Sequence, residues 1–263
     1  MYSKEHIKYL KKIKQEKIII LFIQILLSIL FFGIWQLLAD FKIINTFVSS
    51  SPSKVIETLI TLHQTNDLYQ HIFTTVYETV VSFTLGTLIG IIIAAALWWN
   101  KFISKILEPY LIILNSLPKV ALGPIIIIWI GAKTGSIIVM ALLISVIVTI
   151  INVLQGFNET DPVKVKLMKS LGANKGQTFF KLVLPSSFNN IISALKINVS
   201  MSLIGIIMGE FLVSKKGIGY LIMYGSQVFN LDLVITGVII LSLVSAIMYY
   251  IVYYIEKRLV KND

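Results

Sequence analysis

Residues 134–158, TGSIIVMALLISVIVTIINVLQGFN, form a long apolar stretch that contains no charged side chain. About 20 mainly apolar residues are enough for a helix to cross a bilayer, so this stretch predicts a membrane-spanning helix. Residues 18–39, 79–100 and 233–255 are equally free of charge and predict three more. Residues 18–39 are too long for the apolar core of a cleaved signal peptide, which is the alternative interpretation. A chain that is 56% hydrophobic and 14% charged is not an ordinary soluble globular protein.

Two weaker apolar stretches complete a predicted set of about six spans, which makes the chain an all-α integral membrane protein. Residues 107–132 contain Lys119, and residues 189–213 contain Lys196 and Glu210. We count both stretches as spans because their apolar residues extend over the length that a membrane helix needs.

Basic residues are distributed unevenly between the predicted spans. Lys and Arg in short loops are retained on the cytoplasmic side, which predicts a cytoplasmic N-terminal segment (1–17), a transmembrane domain (18–258) and a cytoplasmic tail (259–263). The basic residues placed inside are Lys4, Lys8, Lys11, Lys12, Lys14, Lys17, Lys101, Lys105, Lys164, Lys166, Lys169, Lys175, Lys181, Lys257, Arg258 and Lys261. Those placed outside are Lys42, Lys54, Lys133, Lys215 and Lys216. This asymmetry explains the net charge of +10 without a nucleic-acid partner.

The polar segment that follows the first-quoted stretch carries the signals of two short helices. Asp161 before Pro162 is a helix start, because it combines an N-cap acceptor with a proline in the first turn. Gly172 can adopt the left-handed conformation that ends a helix. Asn174, with Gln177 three residues later, offers a capping box for a second helix. The segment is therefore predicted to form a helical elbow.

This elbow, residues 159–187, suits a protein that is moved by a soluble motor, because a rigid connection transmits force that a flexible loop would absorb. A stand-alone channel or an ion-coupled secondary transporter is the alternative, and an intramembrane scaffold or enzyme is a third class. The chain has no zincin His–Glu pair and no glycine-rich phosphate loop. We therefore predict no enzymatic activity, no metal site and no ATPase site in this chain.

Residues 166–185, KLMKSLGANKGQTFFKLVLP, resemble the EAA loop of binding-protein-dependent ABC permeases. Gly172 matches the glycine of that pattern, and Leu182 with Leu184-Pro185 matches its closing Ile-x-Leu-Pro, with Leu in place of Ile. The residues that the resemblance assigns to ATPase coupling are Asp161, Lys166, Leu167, Met168, Gly172, Ala173, Leu184 and Pro185.

The Glu-Ala-Ala triplet of that pattern is absent, since Lys166, Leu167 and Met168 occupy its place. In permeases of this kind the glutamate meets basic residues of the ATPase, which Lys166 cannot do. Either the partner surface differs, or docking depends on Leu167, Met168 and shape.

Three further segments resemble the nitrate, sulfonate and taurine branch of these permeases. They are LPKVALGPIIIIWIGAKTG (117–135), GEFLVSKKGIGYLI (209–222) and SPSKVIETL (51–59), and the whole resemblance covers residues 18–258. It implies the permease subunit of an importer in a bacterial cell membrane, surrounded by lipid. It also implies a homodimer or pseudodimer, two cytoplasmic ATPase subunits that bind ATP and Mg²⁺, and an extracytoplasmic solute-binding protein. The expected substrate is a small anion, a sulfonate-like solute or a vitamin precursor.

Several residues within the predicted spans are candidates for the translocation pathway. Pro118 and Pro124 are predicted to interrupt the span at residues 107–132, and such a break is tolerated only beside protein or a water-filled cavity. Asn198 and Ser202 share one helix face with small residues, which indicates either packing or a cavity. The candidates are Pro118, Lys119, Pro124, Asn198, Ser202 and Glu210. For Lys119 snorkelling towards water is the alternative, and for Glu210 a contact between helices.

Overall fold

The computed structural model describes residues 4–259, and this part of the chain is helical, with no β-strand. The predicted all-α class is confirmed. The first residues of the predicted segment 1–17 and most of the predicted tail 259–263 lie outside the described residues. In chain order the helices are α1 (Lys4–Asp40), α2 (Thr46–Ser49), α3 (Pro52–Gln64), α4 (Asp67–Trp99), α5 (Lys101–Ser116), α6 (Gly123–Ile130), α7 (Thr134–Asn158), α8 (Pro162–Ser170), α9 (Lys175–Thr178), α10 (Leu184–Ser186), α11 (Phe188–Val213), α12 (Ile218–Gln227) and α13 (Leu231–Leu259). A 3₁₀ turn (Lys119–Leu122) precedes α6, and a π-helical turn (Phe179–Val183) separates α9 from α10.

Five helices of the described chain, α1, α4, α7, α11 and α13, are long and apolar enough to cross a membrane. A sixth span exists only if α5 and the 3₁₀ turn with α6 count as one, and these two parts meet at 85°. The predicted break within residues 107–132 is thus a sharp bend. The prediction of about six spans holds when this bent pair is counted as one span.

Two helices are longer than their predicted spans. Helix α1 runs without interruption from Lys4 to Asp40, so the basic lead and the first span are one helix. Helix α4 begins at Asp67, well before the predicted start at residue 79. Its polar first turns are accommodated because they pack against α11 and α12, where their side chains find hydrogen-bond partners.

Helices α4, α7 and α11 form the core, and small residues bring them into close contact. A Cβ on Gly90 of α4 would lie 2.6 Å from the Thr149 Cβ of α7. A Cβ on Gly205 of α11 would overlap the Ala141 backbone of α7. Since neither position has room for a side chain, these glycines set the distance between the helices.

Helices α3, α12 and α13 pack beside this core around a second group of buried side chains. That group consists of Leu62, Ile218, Leu221, Leu233, Ile240 and Val244. Helix α1 contacts α3 near its own C-terminal end, where the Gln36 side chain accepts a hydrogen bond from the Ser53 amide of α3 at 3.0 Å. The elbow and the connection between α11 and α12 lie at opposite ends of the bundle.

Candidate functional site

Helix α8 of the elbow begins and ends close to where the sequence predicts. Asp161 Oδ1 accepts a hydrogen bond from the Val163 amide at 2.8 Å, and Pro162 lies in the first turn. The helix ends at Ser170, and Gly172 follows with a φ of +80°. Because residues with a Cβ are strained at this φ, glycine is what allows the corner.

The predicted capping box starts helix α9. Asn174 Oδ1 accepts from the Gln177 amide at 2.7 Å, and Gln177 Oε1 accepts from the Asn174 amide at 2.8 Å. The π-helical turn that follows was not predicted. Pro185, which follows this turn, has no backbone N–H to donate within a helix. In the π-helical turn the Leu184 amide donates to the Phe179 carbonyl, five residues earlier.

Phe179 joins the elbow to two spanning helices. Its ring is 5% exposed and lies 5.0 Å from the ring of Trp98 and 6.0 Å from that of Trp99, both in the last turn of α4. On the other side, the Phe157 ring of α7 is 5.3 Å away. The next residue, Phe180, is 64% exposed. One buried ring therefore connects the elbow to α4 and α7.

Two hydrogen bonds add a polar connection between the end of α7 and the start of α11. The Ser187 hydroxyl is buried and donates to the Gly156 carbonyl at 2.8 Å. The Asn190 side-chain amide donates to Glu159 Oε2 at 2.7 Å. The elbow is thus in direct contact with three helices, α4, α7 and α11.

One face of α8 is apolar and exposed. Val163 and Leu167 of α8 and Leu171, the C-cap residue that follows it, are spaced four residues apart and so lie along one side. Their exposed fractions are 69%, 58% and 74%. These three residues are called the α8 stripe below. Met168 is half-buried beside it.

The other residues assigned to coupling lie elsewhere on the elbow. Lys166 and Ala173 line a cavity of about 520 Å³ between the elbow and the ends of α4 and α7. Leu184 is half-buried and Pro185 is exposed. The structure therefore separates Leu167, on the free face, from Lys166, which borders the cavity.

The break between α5 and α6 lies at Pro118. Pro124 was predicted to interrupt the helix as well, and this is corrected: it lies in the first turn of α6, where a missing N–H leaves no bond unmade. The Lys119 ammonium donates to the Asn115 carbonyl at 2.8 Å, near the end of α5, and its side chain is partly exposed. A role of these residues in the pathway stays a prediction.

Asn198 and Ser202 lie in the core of the bundle. Both are fully buried, and the Asn198 side-chain amide donates to the Thr87 hydroxyl of α4 at 2.7 Å. The Ser202 hydroxyl has no hydrogen-bond partner in the described part of the chain. In this conformation the two residues contribute to helix packing, and their part in the pathway remains a prediction.

Glu210 is buried at the opposite end of the bundle from the elbow. It is 1% exposed, and its Oε2 accepts a hydrogen bond from the Gly219 amide at 2.6 Å. Its Oε1 accepts from the Thr75 hydroxyl of α4 at 2.6 Å, and that hydroxyl oxygen accepts from the Ile218 amide at 2.8 Å. The carboxylate therefore connects α4 and α11 to the first turn of α12.

Two more residues complete this connection. His71 Nδ1 accepts a hydrogen bond from the Gly217 amide at 2.9 Å. Gly217 has a φ of +112°, and a Cβ there would overlap the Glu210 carboxyl group. The spacing of Glu210, Gly217 and Gly219 thus has a structural explanation: Gly217 leaves room for the carboxyl group, and the Gly219 amide donates to it. We call the group of His71, Thr75, Glu210 and residues 217–219 the α11–α12 joint.

Sequence reasoning missed His71, Thr75 and Phe179. The first two lie before residue 79, the predicted start of the second span, although His71, Thr75, Thr79 and Ser82 recur at helical spacing and all are buried. That periodicity is a signal that the helix starts early and buries a polar stripe. Phe179 has no comparable local signal, because its burial depends on two distant helices.

Known proteins show similarity over most of this chain. The family described as Binding-protein-dependent transport system inner membrane component matches residues 86–261. A probable ABC transporter permease protein of Haemophilus influenzae is 29% identical over 227 residues, covering 86% of this chain and 92% of the relative. A putative aliphatic sulfonates transport permease protein, SsuC of Bacillus subtilis, is 25% identical over 237 residues, covering 90% and 86%.

A solved structure of the MetNI methionine ABC transporter, in an inward-facing conformation, has a similar fold. The TM-score is 0.62 at 18% sequence identity, and the match covers 73% of this chain and 93% of that chain. At this identity the likeness is one of fold alone.

Proposed function

The chain belongs to the binding-protein-dependent transport system inner membrane components and is the permease subunit of an ABC importer, and from this premise we propose that its elbow is the docking site of a separate ATPase subunit. The α8 stripe carries the proposal, because three large apolar side chains are held in an exposed row on a rigid helix. Rows of this kind are buried when a helix binds a groove of a partner. The chain itself is proposed to have no ATPase site, with ATP and Mg²⁺ bound by the partner.

The orientation follows from the distribution of basic residues. We place the elbow and both chain ends in the cytoplasm, because the segments on that side hold most of the Lys and Arg residues. The α11–α12 joint then lies towards the outside. This arrangement brings the elbow to the compartment that contains ATP.

The full importer is proposed to contain two copies of this permease, two ATPase subunits and a solute-binding protein outside. A second copy is supported by α6, where Ile128 and Trp129 are each 80% exposed and adjacent. Each copy then offers one elbow to one ATPase subunit. The pathway is placed between the copies, near the bend at Pro118 and Lys119.

We propose that closure of the ATPase subunits pushes the elbow and thereby moves the spanning helices. Phe179 transmits the movement to α4 and α7, and Ser187 transmits it to the junction of α7 and α11. Alternation between outward-open and inward-open states requires a partner that interacts differently with the two states. The ATPase provides this difference through its nucleotide cycle.

The proposed substrate is a small organic anion of the sulfonate class, with a vitamin precursor as the alternative. The Bacillus subtilis relative named for aliphatic sulfonates supports the first choice. Lys119, at the bend, is a positive charge that would favour an anion.

A charge in the α8 stripe tests the docking proposal. Leu167→Asp should lower the recovery of the ATPase with the tagged permease by at least about tenfold, because a carboxylate would be buried in an apolar groove. Leu167→Met keeps an apolar side chain of similar volume and should leave recovery unchanged. Co-purification from membranes measures both. Normal recovery of the ATPase with Leu167→Asp would reject the stripe as the docking surface.

The corner glycine gives a second test. Gly172→Val should reduce ATPase recovery and solute uptake several-fold while membrane insertion stays intact, because a β-branched residue is strongly disfavoured at a φ of +80°. A steric clash does not contribute to this effect, since no atom lies within 4 Å of a Cβ built at this position. Gly172→Asn is the matched control, as Asn tolerates the left-handed region, and it should behave nearly like the wild type. Equal behaviour of the two variants would contradict the argument.

A further inference from the structure

The cavity inside the elbow has an unusual concentration of positive charge. Its volume is about 520 Å³, and its apolar wall includes Trp98, Phe157, Val165 and Val183. Its basic residues are Lys101, Lys166, Lys169 and Lys175, and no Asp or Glu is among the described residues that line it.

Three of these lysines form no ion pair with any described residue. The Lys175 ammonium donates to the Trp99 carbonyl and so holds the end of α4. Lys101, Lys166 and Lys169 take part in neither of the ion pairs found between described residues, which are Lys54–Asp232 and Lys196–Glu256. Their charges remain available to a ligand.

The nearby carboxylates on the elbow are committed to other partners. Asp161 caps α8 through the Val163 amide, and Glu159 binds the Asn190 amide. Within the cavity wall, the Thr160 hydroxyl is buried and has no hydrogen-bond partner among residues 4–259. Lysine ammonium groups and a free hydroxyl are donors that suit the oxygens of an oxyanion.

The position of the cavity indicates where the anion comes from. Trp98 is in the last turn of α4, and Lys101 starts α5, so both lie at the end of a candidate span. Tryptophan and lysine at helix ends lie at the level of the lipid head groups. Anionic lipids of the cytoplasmic leaflet attract basic side chains at this level. Apolar residues in the cavity wall match the glycerol and first acyl carbons of a lipid.

We propose that the elbow cavity binds the phosphate group of an anionic phospholipid through Lys101, Lys166 and Lys169. The bound head group joins α8 to the start of α5 and fixes the elbow against the bilayer. The proposal rests on the cytoplasmic orientation given above. It also gives a role to Lys166, which borders the cavity where the EAA pattern has a glutamate.

Lipid binding is tested on the full-length permease in phosphatidylcholine nanodiscs without an ATPase. Phosphatidylglycerol is titrated in, and native mass spectrometry counts the bound molecules. The triple variant K101Q/K166Q/K169Q should bind phosphatidylglycerol at least about tenfold more weakly, since each basic side chain near the surface contributes to the attraction. The three lysines are exposed, so the thermal unfolding midpoint should stay unchanged.

The variant K11Q/K12Q/K14Q is the matched control, because it removes the same charge from exposed positions of α1. It weakens the general attraction for anionic lipid but leaves the cavity intact, so its loss of lipid binding should be several-fold smaller than that of K101Q/K166Q/K169Q. Equal losses in the two triple variants would overturn the proposal. Inorganic phosphate serves as the soluble competitor and should displace the lipid only at far higher concentration. Binding of phosphate as tight as that of phosphatidylglycerol would reject a lipid as the ligand.

A third outcome separates this site from the docking surface. If the lysine variant keeps its lipid but loses the ATPase, the cavity is a protein contact and the lipid proposal fails. Leu167→Asp should leave lipid binding unchanged, so failure of ATPase docking is recognised independently.

Discussion

Replacement of Glu210 by alanine should lower uptake at least about tenfold by disrupting the α11–α12 joint, without removal of any solute contact. The change deprives the Thr75 hydroxyl and the Gly219 amide of their acceptor inside a closed site. It also leaves a void beside Gly217, which packs against the carboxyl group. We expect a loss of about 3 kcal/mol in stability and uptake below about a tenth of the wild-type rate. The thermal unfolding midpoint of the purified permease and solute uptake by cells are the measurements.

Glu16→Ala is the control for this prediction, since it removes an exposed carboxylate from α1 and should change neither quantity. Glu210→Gln keeps the shape and one acceptor oxygen, so its midpoint should lie between those of the wild type and Glu210→Ala. A normal midpoint combined with lost uptake would support the pathway role that the sequence suggests for Glu210. It would contradict a structural joint.

The parts of the elbow that sequence reasoning predicted correctly are those set by neighbouring residues. An N-cap, a capping box and a left-handed glycine act within a few positions along the chain, so Asp161, Asn174 and Gly172 were sufficient to locate the two short helices. The spans could be predicted for a similar reason, because a helix in lipid needs a minimum run of apolar residues.

What could not be predicted depends on contacts between distant segments. The spacing of polar residues signals the early start of α4, but it does not identify the partners of His71 and Thr75, which are the backbone amides of residues 217–218. No pattern in residues 67–78 reveals those partners. Proline positions predicted a break in residues 107–132, but not its angle of 85°.

The helix face that carries Asn198 and Ser202 shows the same limit of prediction from sequence. Helical spacing correctly placed these residues on one face of α11, together with Gly205. The sequence left open whether that face meets water or protein. The structure brings Gly205 against Ala141 of α7 and Asn198 against Thr87 of α4, so in this conformation the face packs against protein.

Phe179→Ala should separate ATP hydrolysis from transport. Removal of this ring eliminates the contacts with Trp98 and Phe157, so the elbow loses its aromatic link to α4 and α7. The hydrogen bonds of Lys175 and Ser187 to these helices remain. The α8 stripe is untouched, and the ATPase should still bind. Phe→Ala changes at buried sites typically cost 3–5 kcal/mol. We therefore expect a lower thermal unfolding midpoint, uptake reduced by more than about tenfold, and retention of the ATPase in the purified complex.

The neighbouring residue supplies a control of the same chemical type. Phe180→Ala removes an equal ring from a position that is 64% exposed, so the unfolding midpoint should hardly change. Phe179→Leu fills part of the site and should restore part of the uptake, because apolar contact with the α4 and α7 rings is regained. If Phe179→Ala and Phe180→Ala lowered the midpoint and uptake equally, the buried ring would have no special part in transmission. Loss of the ATPase from Phe179→Ala alone would instead show that this ring holds the docking surface in shape, and the distinction between docking and transmission would have to be abandoned.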